Sequence, residues 1–426
     1  MGENPFEEAA LGAAREGDRM GMKVLYERCA GCDVHKDGIT VHIVIPEGQE
    51  TRTFGTTTNA LLTLVEWLLE RQVTHVAMES TGVYWKPVYN LLEAAELKVF
   101  VVNAAHMKAV PGRKTDVRDA AWICDLMRHG LLRPSFIPPR PQRELRELVR
   151  YRISLIAERG DEANRIQKVL EGGNIKLGSV VSDILGKSGR AMLQAMAAGT
   201  TDPETLAGMA QGKLCAKRDQ LMEALRGRLD AHQQKMLRMQ LDHVRSLDQL
   251  IEALDAEVVV RLDPFHKEIE RLDTIPGVNQ RGAEVILAEV GTDMTRFQNT
   301  AHLASWAGMC PENNESAGKR RSGRTRKGNP TLRRTLTEAG WAAGKTKNTY
   351  LGTAYRRIKA RRGGKKAAIA IGHKILEIAY VILRDGVEYR DLGVNYYDER
   401  KKDMVVRNAI KRLEQLGYKV AVQPVA

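Results

Sequence analysis

The sequence predicts a mixed-sheet α/β domain followed by an all-α region, and two patterns lead to this prediction. Three strand-like segments come first, and helices and strands then alternate up to about residue 129. Beyond residue 141 the apolar residues recur almost entirely at helical spacing. The chain has 426 residues, which is more than one ordinary hydrophobic core supports, so we expect two or three domains.

The elements of the first domain follow from short β-branched runs bounded by turns. A short strand ends at Asp33, and strands over 39–45 and 49–54 are separated by a Pro-Glu-Gly turn. The following elements are predicted as a helix over 58–71, a strand over 73–78, a helix over 83–96, a strand over 97–102 and a helix over 115–129. Antiparallel strands followed by parallel ones form a mixed sheet, in an order shared by the ribonuclease H fold.

The rest of the chain divides at prolines and at changes of periodicity. Four prolines between 134 and 141 predict a stiff linker, and the segments 144–170 and 203–262 are predicted to be helical. The second segment suggests a long helical hairpin or coiled-coil stalk, with an ordinary helical bundle as the alternative. The segment 272–290 contains a Pro-Gly-Val turn followed by an apolar helix, which predicts a helix-hairpin-helix-like element. Backbone N–H groups at such a turn and helix start can bind a phosphate. The resulting units are 1–22, 23–140, 141–262, 263–388 and 389–426.

Composition excludes several classes of protein. Hydrophobic residues make up 43% and charged residues 28%, which argues against disorder and collagen-like chains. No apolar run approaches the roughly 20 residues of a membrane span, and the acidic N-terminus is unlike a signal peptide. Five cysteines do not make a disulfide framework. We therefore expect a soluble, cytoplasmic protein without a membrane partner.

Positive charge is concentrated in one segment. The net charge is +13, yet residues 319–366 alone hold 17 basic residues and one acidic residue. This concentration is typical of proteins that bind a polyanion such as nucleic acid. A solubilising basic stretch is the alternative, but Trp341, Tyr350 and Tyr355 interrupt the charges and favour a folded surface.

Four carboxylates of the first domain follow strands or begin a helix. Asp33 and Glu79 stand at predicted strand ends, whereas Asp116 and Asp119 lie three residues apart at a helix start. Such a cluster would repel without a counter-charge, and carboxylate oxygens suit Mg²⁺ (Mn²⁺ as an alternative) in a pair of ions about 4 Å apart. Individually, each acid has a structural interpretation as a cap or a strand-end charge. Asp125 does not belong to the set, because it lies on the opposite side of that helix from Asp116.

A serine of the basic segment is a candidate nucleophile. The run from Cys310 to Asn329 is rich in Asn, Ser, Gly, Arg and Lys and predicts a loop, here called the basic loop. Ser316 stands in it without a nearby His–Asp pair, so a protease-like triad does not fit. Its hydroxyl could instead attack a phosphodiester, although the pattern around Ser316, taken alone, favours a turn role, and Ser322 is an equally good loop serine by composition.

Two further features accompany these motifs. Cys29 and Cys32 form a lone Cys-x-x-Cys, for which buried thiols are a better interpretation than a zinc or redox pair. Basic residues near both motifs are candidates for holding a nucleic-acid backbone. These are Lys114, Arg118, Lys319, Arg320, Arg321, Arg324, Arg326, Lys327, Arg333 and Arg334.

The ordered set of these motifs resembles one family. The motifs are Asp33, Glu79 and the runs 114–120 (KTDVRDA), 275–278 (IPGV), 303–308 (LASWAG), 316–318 (SAG) and 326–334 (RKGNPTLRR). Together they resemble the DEDD recombinases of bacterial insertion sequences, the insertion-sequence-110 family that includes Piv invertases. The resemblance spans about residues 28–345.

The resemblance implies a RuvC-like, ribonuclease-H-fold domain in which Asp33, Glu79, Asp116 and Asp119 bind magnesium. It also implies a C-terminal transposase domain in which Ser316 attacks DNA and forms a phosphoserine intermediate. Members of the family act as tetramers joined by a coiled coil, and some are guided by a bridge RNA that pairs with donor and target DNA.

We therefore expect a transposase that acts as a site-specific recombinase on donor and target DNA. We expect a homo-oligomer, dimer to tetramer, a structured guide RNA as a further partner, and action in the bacterial nucleoid. A metal-dependent, junction-resolving endonuclease without a serine step is the alternative enzyme. A nucleic-acid-binding scaffold, which needs only the basic segment, is the non-enzymatic alternative.

Overall fold

The computed structural model describes residues 23–80, 82–103, 119–311, 314–316, 319–322, 325 and 328–421, with the backbone alone for 314–316 and 319–322. The chain forms two compact units, Met1–Pro138 and Pro139–Ala426. Within the described residues, no helix is both long and apolar enough to cross a membrane.

The first unit is built on a five-stranded mixed sheet. Its strands are β1 (Cys29–Val34), β2 (Ile39–Ile45), β3 (Gly48–Phe54), β4 (His75–Glu79) and β5 (Lys98–Val102). They lie in the order β3-β2-β1-β4-β5, with β2 antiparallel to both β1 and β3, and with β4 and β5 parallel to β1. The predicted mixed sheet, with antiparallel strands first and parallel strands later, is confirmed, and it is consistent with a ribonuclease-H-like domain.

Among the described residues, three helices cover this sheet: α1 (Thr58–Glu70), α2 (Trp85–Ala94) and α3 (Asp119–Arg128). In α1, the side chains of Leu61, Leu64, Val65 and Leu68 are buried, which is the i, i+3, i+4, i+7 pattern of an amphipathic helix. One core layer joins α1 and α2 to the sheet, and a second layer joins α3 to the opposite face. The predicted start of α3 at residue 115 lies outside the described residues.

Two long helices form the framework of the second unit. Helix α4 (Arg140–Gly172) precedes the short helices α5 (Leu177–Val180), α6 (Lys187–Ala197), α7 (Pro203–Ala207) and α8 (Arg218–Ala224), and α9 (Ala231–Leu262) follows them. Ion pairs Arg152–Asp255 and Arg159–Asp248 join α4 to α9, at 2.9 and 2.6 Å. Because the residue number rises along α4 as it falls along α9, the two helices are antiparallel.

The stretch 203–262 differs from its prediction in one respect. Only its second half is a long helix, and the first half consists of α7, a 3-10 turn over Gly212–Lys217 and α8. Leu221, Leu225 and Leu229, which the periodicity assigned to a stalk, are buried in a separate apolar cluster with α6 and the facing ends of α4 and α9. The apolar spacing is helical in both halves, but the apolar side chains of the first half are buried in this small cluster instead of along a stalk.

Helices also make up most of the remaining chain. They are α10 (His266–Asp273), α11 (Gln280–Val290), α12 (Thr300–Trp306), α13 (Pro330–Lys345), α14 (Tyr350–Arg362), α15 (Gly364–Asp385), α16 (Tyr396–Glu399) and α17 (Lys402–Gln415). Two short antiparallel strands, β6 (Asn314–Ser316) and β7 (Lys319–Ser322), lie between α12 and α13.

The predicted hairpin motif forms the turn between α10 and α11, and close packing against α13 explains its glycine. Gly277 has φ +90°, and a Cβ there would lie 2.4 Å from the carbonyl oxygen of Ala339 and 2.5 Å from the nitrogen of Ala343. Its neighbours Ile275 and Val278 are buried. The Pro-Gly-Val turn therefore packs against α13, and glycine is needed there for close backbone approach.

Candidate active site

Asp33 and Glu79 lie at the same edge of the central sheet. Parallel pairing between β1 and β4 aligns Cys32 with Met78, which places Asp33 and Glu79 one residue further along each strand. Asp33 shares a strand face with Cys29, and Glu79 shares one with Ala77; both of these neighbours belong to the core layer under α3. The two predicted carboxylates thus come from neighbouring strand ends and face α3.

Helix α3, whose described part begins with a third predicted carboxylate, packs against β1. A Cβ at Gly31 would lie 2.2 Å from the carbonyl oxygen of Ala120 and 2.4 Å from the nitrogen of Cys124, so the helix backbone rests directly on β1. Asp119 is the first described residue of α3 and immediately precedes this contact. We call Asp33, Glu79 and Asp119 the carboxylate corner.

The fourth predicted carboxylate, Asp116, lies outside the described residues, as do Lys114 and Arg118. Among the described residues, which include Asp33, Glu79 and Asp119, no three His, Cys, Asp or Glu side chains form a group that could hold a metal ion. The donors that the carboxylate corner offers are all carboxylate oxygens, which are ligands that suit Mg²⁺ and Mn²⁺.

A histidine two residues after Asp33 contacts the corner. The Nε2 atom of His35 lies 3.0 Å from Oδ2 of Asp33, and the side chains are 68% and 16% exposed. His35 stands after β1 in the turn closed by its own N–H donating to the Gly38 carbonyl. The contact with Asp33 leaves most of the His35 ring exposed to solvent.

The two cysteines of the Cys-x-x-Cys pair point to opposite sheet faces. Cys29 packs under α3, whereas Cys32 packs under α1 and α2, so the two thiols cannot share a metal. Burial, and secondarily the Asp33 carboxylate, raises the pKa of Cys32 to about 12. Cys29 instead meets Cys124, with 3.7 Å between the sulfur atoms. The hydrogen bond from Cys124 lowers the pKa of Cys29, and the same pairing raises that of Cys124.

The basic loop is partly ordered as a strand pair. Ser316 ends β6 and pairs with Lys319, the first residue of β7, while Ser322 ends β7 opposite Asn314. A further bridge joins Pro311 to Thr325. The predicted nucleophile is therefore a backbone neighbour of predicted phosphate-binding residues. Lys319, Arg320 and Arg321 form the start of β7, whereas Arg324, Arg326 and Lys327 lie outside the described residues.

The structure gives two of the predicted nucleic-acid contacts intramolecular partners. Arg333 is half-buried, and its Nη1 lies 3.4 Å from Oγ1 of Thr325 in the basic loop. Arg334 forms an exposed i, i+4 ion pair of 3.0 Å with Glu338. Arg333 is thus engaged at the loop itself, whereas an exposed pair such as that of Arg334 contributes little stability and leaves the guanidinium accessible.

A second basic surface lies where α14 meets α15. Residues 356–366 include seven Lys or Arg residues and no acidic residue, and most of the seven are exposed. Arg362, Lys365 and Lys366 lie at the Gly363 turn, close to Trp341, whose ring is 3.0 Å from a Cβ placed at Gly364. We call these three residues the α14–α15 basic surface. The concentration of basic residues in 319–366 predicted a basic surface in this segment. These three residues were not among those predicted individually to contact nucleic acid.

Two family models match this chain, one in its N-terminal part and one in its C-terminal part. Residues 30–175 match the DEDD transposase model of IS110 elements, and residues 269–356 match the model described as transposase, IS116/IS110/IS902 family. The Sinorhizobium fredii protein y4pF/y4sB, which bears a provisional transposase name, is 26% identical over 336 residues, or 77% of each chain. The 43.6 kDa protein of insertion element IS110 from Streptomyces coelicolor is 34% identical over 143 residues, or 32% of this chain and 34% of its own.

Proposed function

The chain belongs to the insertion-sequence transposase family of IS116, IS110 and IS902, and from this premise we propose that it is a site-specific DNA recombinase. It would cleave, exchange and religate DNA strands of a donor and a target. The observation that supports the proposal is that Asp33 and Glu79 stand at the ends of neighbouring strands of a ribonuclease-H-like sheet, while the helix that carries Asp119 packs on β1.

Asp33, Glu79 and Asp119, with Asp116, would hold a divalent cation, for which Mg²⁺ or Mn²⁺ fits the all-carboxylate donor set. Such an ion supplies electrostatic stabilisation at a reacting phosphate. The protein contributes the rigidity of the site: Asp33 and Glu79 are fixed by strand pairing, and Asp119 by the contact of α3 with Gly31. His35, 3.0 Å from Asp33, would orient that carboxylate.

Ser316 is the proposed nucleophile. Its Oγ would attack a DNA phosphorus atom; an Oγ–P bond forms, the bond from phosphorus to a deoxyribose oxygen breaks, and that oxygen leaves as a hydroxyl after taking a proton. The serine proton passes to solvent or a carboxylate, so atoms and charge balance. Attack by the hydroxyl of another strand on the phosphoserine reverses the step and joins new partners. The position of Ser316 beside Lys319 supports this role, because cations stabilise the charged transition state.

The remaining parts of the proposal concern partners and organisation. The basic loop and the α14–α15 basic surface would hold DNA backbone, since positive charge of this density favours phosphate binding. A bridge-type guide RNA, an assembly of two to four chains and the division at residues 23, 141, 263 and 389 rest on the resemblance and the sequence pattern. Sequencing the RNA that co-purifies with the protein tests the guide: an element-encoded RNA supports it, and a random mixture contradicts it.

One experiment separates the recombinase from its alternatives. Purified Asp119→Ala, Ser316→Ala and the matched control Ser322→Ala are incubated with element-end DNA and Mg²⁺, and covalent protein–DNA adducts are resolved on denaturing gels. The proposal expects an adduct with the unchanged protein and with Ser322→Ala, and none with the other two variants.

Other outcomes point to the alternatives. Cleavage that survives Ser316→Ala would indicate the structure-specific endonuclease, which needs the acids alone. DNA binding without chemistry in every protein would indicate the scaffold. Chelation by EDTA should remove the adduct and added Mg²⁺ should restore it.

A further inference from the structure

The basic loop is anchored at both ends by close backbone contact. It leaves α12 at Gly308 and enters α13 at Asn329, and a Cβ added at Gly328 would lie 2.3 Å from the nitrogen of Gly308. The bridge between Pro311 and Thr325 closes the two sides a few residues further out. The base of the loop is therefore narrow, and its position depends on what holds Gly328 and Asn329.

Asn329 is held by both ends of its side-chain amide. Its Oδ1 accepts a hydrogen bond from the Leu332 N–H at 3.0 Å and so caps α13, while its Nδ2 donates to Oε2 of Glu289 at 2.5 Å. Serine or aspartate would cap the helix as well as asparagine, but neither would donate to Glu289 in the same position. The choice of asparagine thus satisfies two partners at once.

Glu289 is itself fixed to the long helix α4. Its side chain is fully buried, and its two oxygens accept hydrogen bonds from Nε and Nη2 of Arg150 at 2.7 and 2.8 Å. Arg146 approaches the same carboxylate at 3.4 Å and donates to the backbone carbonyl of Glu289. A buried carboxylate in a bidentate pair has little freedom to move, because any displacement leaves charge without a partner.

We infer that Glu289 is a positioning residue for strand transfer: through Asn329 it ties the base of the basic loop to α4 and so sets the place of Ser316. The catalytic consequence of this inference rests on the proposed role of Ser316. The attachment of the loop to α4 through Asn329 and Glu289 does not depend on that role. The side chain of Glu289 is remote from the reacting atoms in this scheme, and it acts only through the loop. Nothing in the charge pattern of the loop requires such an attachment.

The test uses Asn329 rather than Glu289, because removing the buried carboxylate would take away the acceptor of the Arg150 guanidinium and endanger folding. Asn329→Ser keeps a helix cap and loses the donor, and Asn329→Asp places a second carboxylate against Glu289. Asn299 offers matched controls: it caps α12, and its Oδ1 accepts from the His302 N–H at 3.0 Å, at a helix start away from Glu289. The corresponding changes are Asn299→Ser and Asn299→Asp.

The first readout is hydrogen–deuterium exchange of the full-length protein without DNA. We expect amides of residues 314–322 to exchange at least tenfold faster in both Asn329 variants, with a change below twofold in both Asn299 variants. Equal exchange in the Asn329 and Asn299 pairs would overturn the attachment. This measurement needs no DNA chemistry and is decisive even where no adduct forms, a result that would count against the serine mechanism alone.

The second readout separates positioning from general stability. At saturating DNA we expect the Asn329 variants to form the covalent adduct at least tenfold more slowly, with DNA affinity changed less than twofold. A merely structural role would lower affinity and rate together with the yield of folded protein. An unchanged adduct rate beside accelerated loop exchange would overturn the positioning role.

Discussion

At Gly31 the backbone of α3 lies against the central strand, so any side chain there displaces the helix that carries Asp119. We predict that Gly31→Ala lowers the free energy of unfolding by about 3 kcal/mol, at the upper end of overpacking costs, since the atoms in the way are backbone atoms. Urea denaturation measures the change. Gly160→Ala is the control, because a Cβ added at Gly160 in α4 would meet nothing within 4 Å beyond the backbone of its own helix. Alanine there should stabilise the helix by about 0.5–1 kcal/mol.

The buried cysteines lead to a prediction about thiol reactivity. Cys215 is exposed and Cys310 is half-exposed, whereas Cys29, Cys32 and Cys124 are buried. Ellman's reagent at pH 8 should therefore label Cys215 rapidly, Cys310 more slowly, and the other three only after unfolding in urea. Rapid labelling of Cys32 in the folded protein would contradict its burial and its raised pKa.

The same residue makes stability depend on alkaline pH. The pKa of Cys32 is raised from its ordinary value of 9.0 to about 12 in the folded protein, so folding favours the neutral thiol. Its contribution is fully present below pH 9 and is lost as the pH rises from 9 toward 12. We expect Cys32→Ala to show a smaller fall in unfolding free energy between pH 8 and pH 10 than the unchanged protein. An equal fall in unfolding free energy in the two proteins would show that ionisation of the Cys32 thiol is not coupled to unfolding.

Single residues were predictable from the sequence where local position decides their role. Asp33 and Glu79 follow short β-branched runs, so strand ends and their convergence were expected, and the register of β1 with β4 agrees. Glu289 and Asn329 were not found, because their roles come from a contact across 40 residues that no local pattern encodes.

At the scale of elements, capping explains where the long helix α9 begins. Asp230 accepts a hydrogen bond from the Gln233 N–H, and the Gln233 side chain accepts one from the Asp230 N–H, which is a capping box at the start of α9. We predict that Asp230→Ala lowers the unfolding free energy by about 1 kcal/mol. Asp242→Ala is the control, because the Asp242 side chain forms an exposed i, i+3 pair with Arg245 and its loss should change stability by less than about 0.5 kcal/mol. Equal effects would exclude a special role for the cap.

The sequence predicted elements better than it predicted how they pack. Most strands and helices of the first unit begin and end within a few residues of their expected bounds, because alternation and apolar spacing are local. The separation of 203–230 from the long helix α9 was missed, since Leu221 and Leu225 have the same spacing in a stalk as in a small core. Periodicity shows which face of a helix is buried and says nothing of what buries it.

At the scale of the whole molecule, the distribution of charge determines how nucleic acid should bind. Residues 319–366 carry a net +16, whereas the rest of the chain carries −3. Binding should therefore depend on a small region, and its salt dependence should report the phosphates that this region touches. We predict that neutralising Arg362, Lys365 and Lys366 together with glutamine reduces the slope of log affinity against log salt by about 3, because each neutralised phosphate contributes roughly 0.9 to that slope.

The control must remove the same charge from elsewhere on the molecule. Lys168, Lys213 and Lys235 are exposed residues of the second unit outside the basic segment, and their replacement by glutamine also lowers the net charge by three. Fluorescence anisotropy with duplex DNA, titrated at several salt concentrations, measures both slopes. If long-range attraction to the total charge controlled binding, the two triple variants would behave alike. A slope that changes only in the variant at the α14–α15 basic surface assigns the phosphate-binding role to that surface, because counterions are released only where the phosphates are touched.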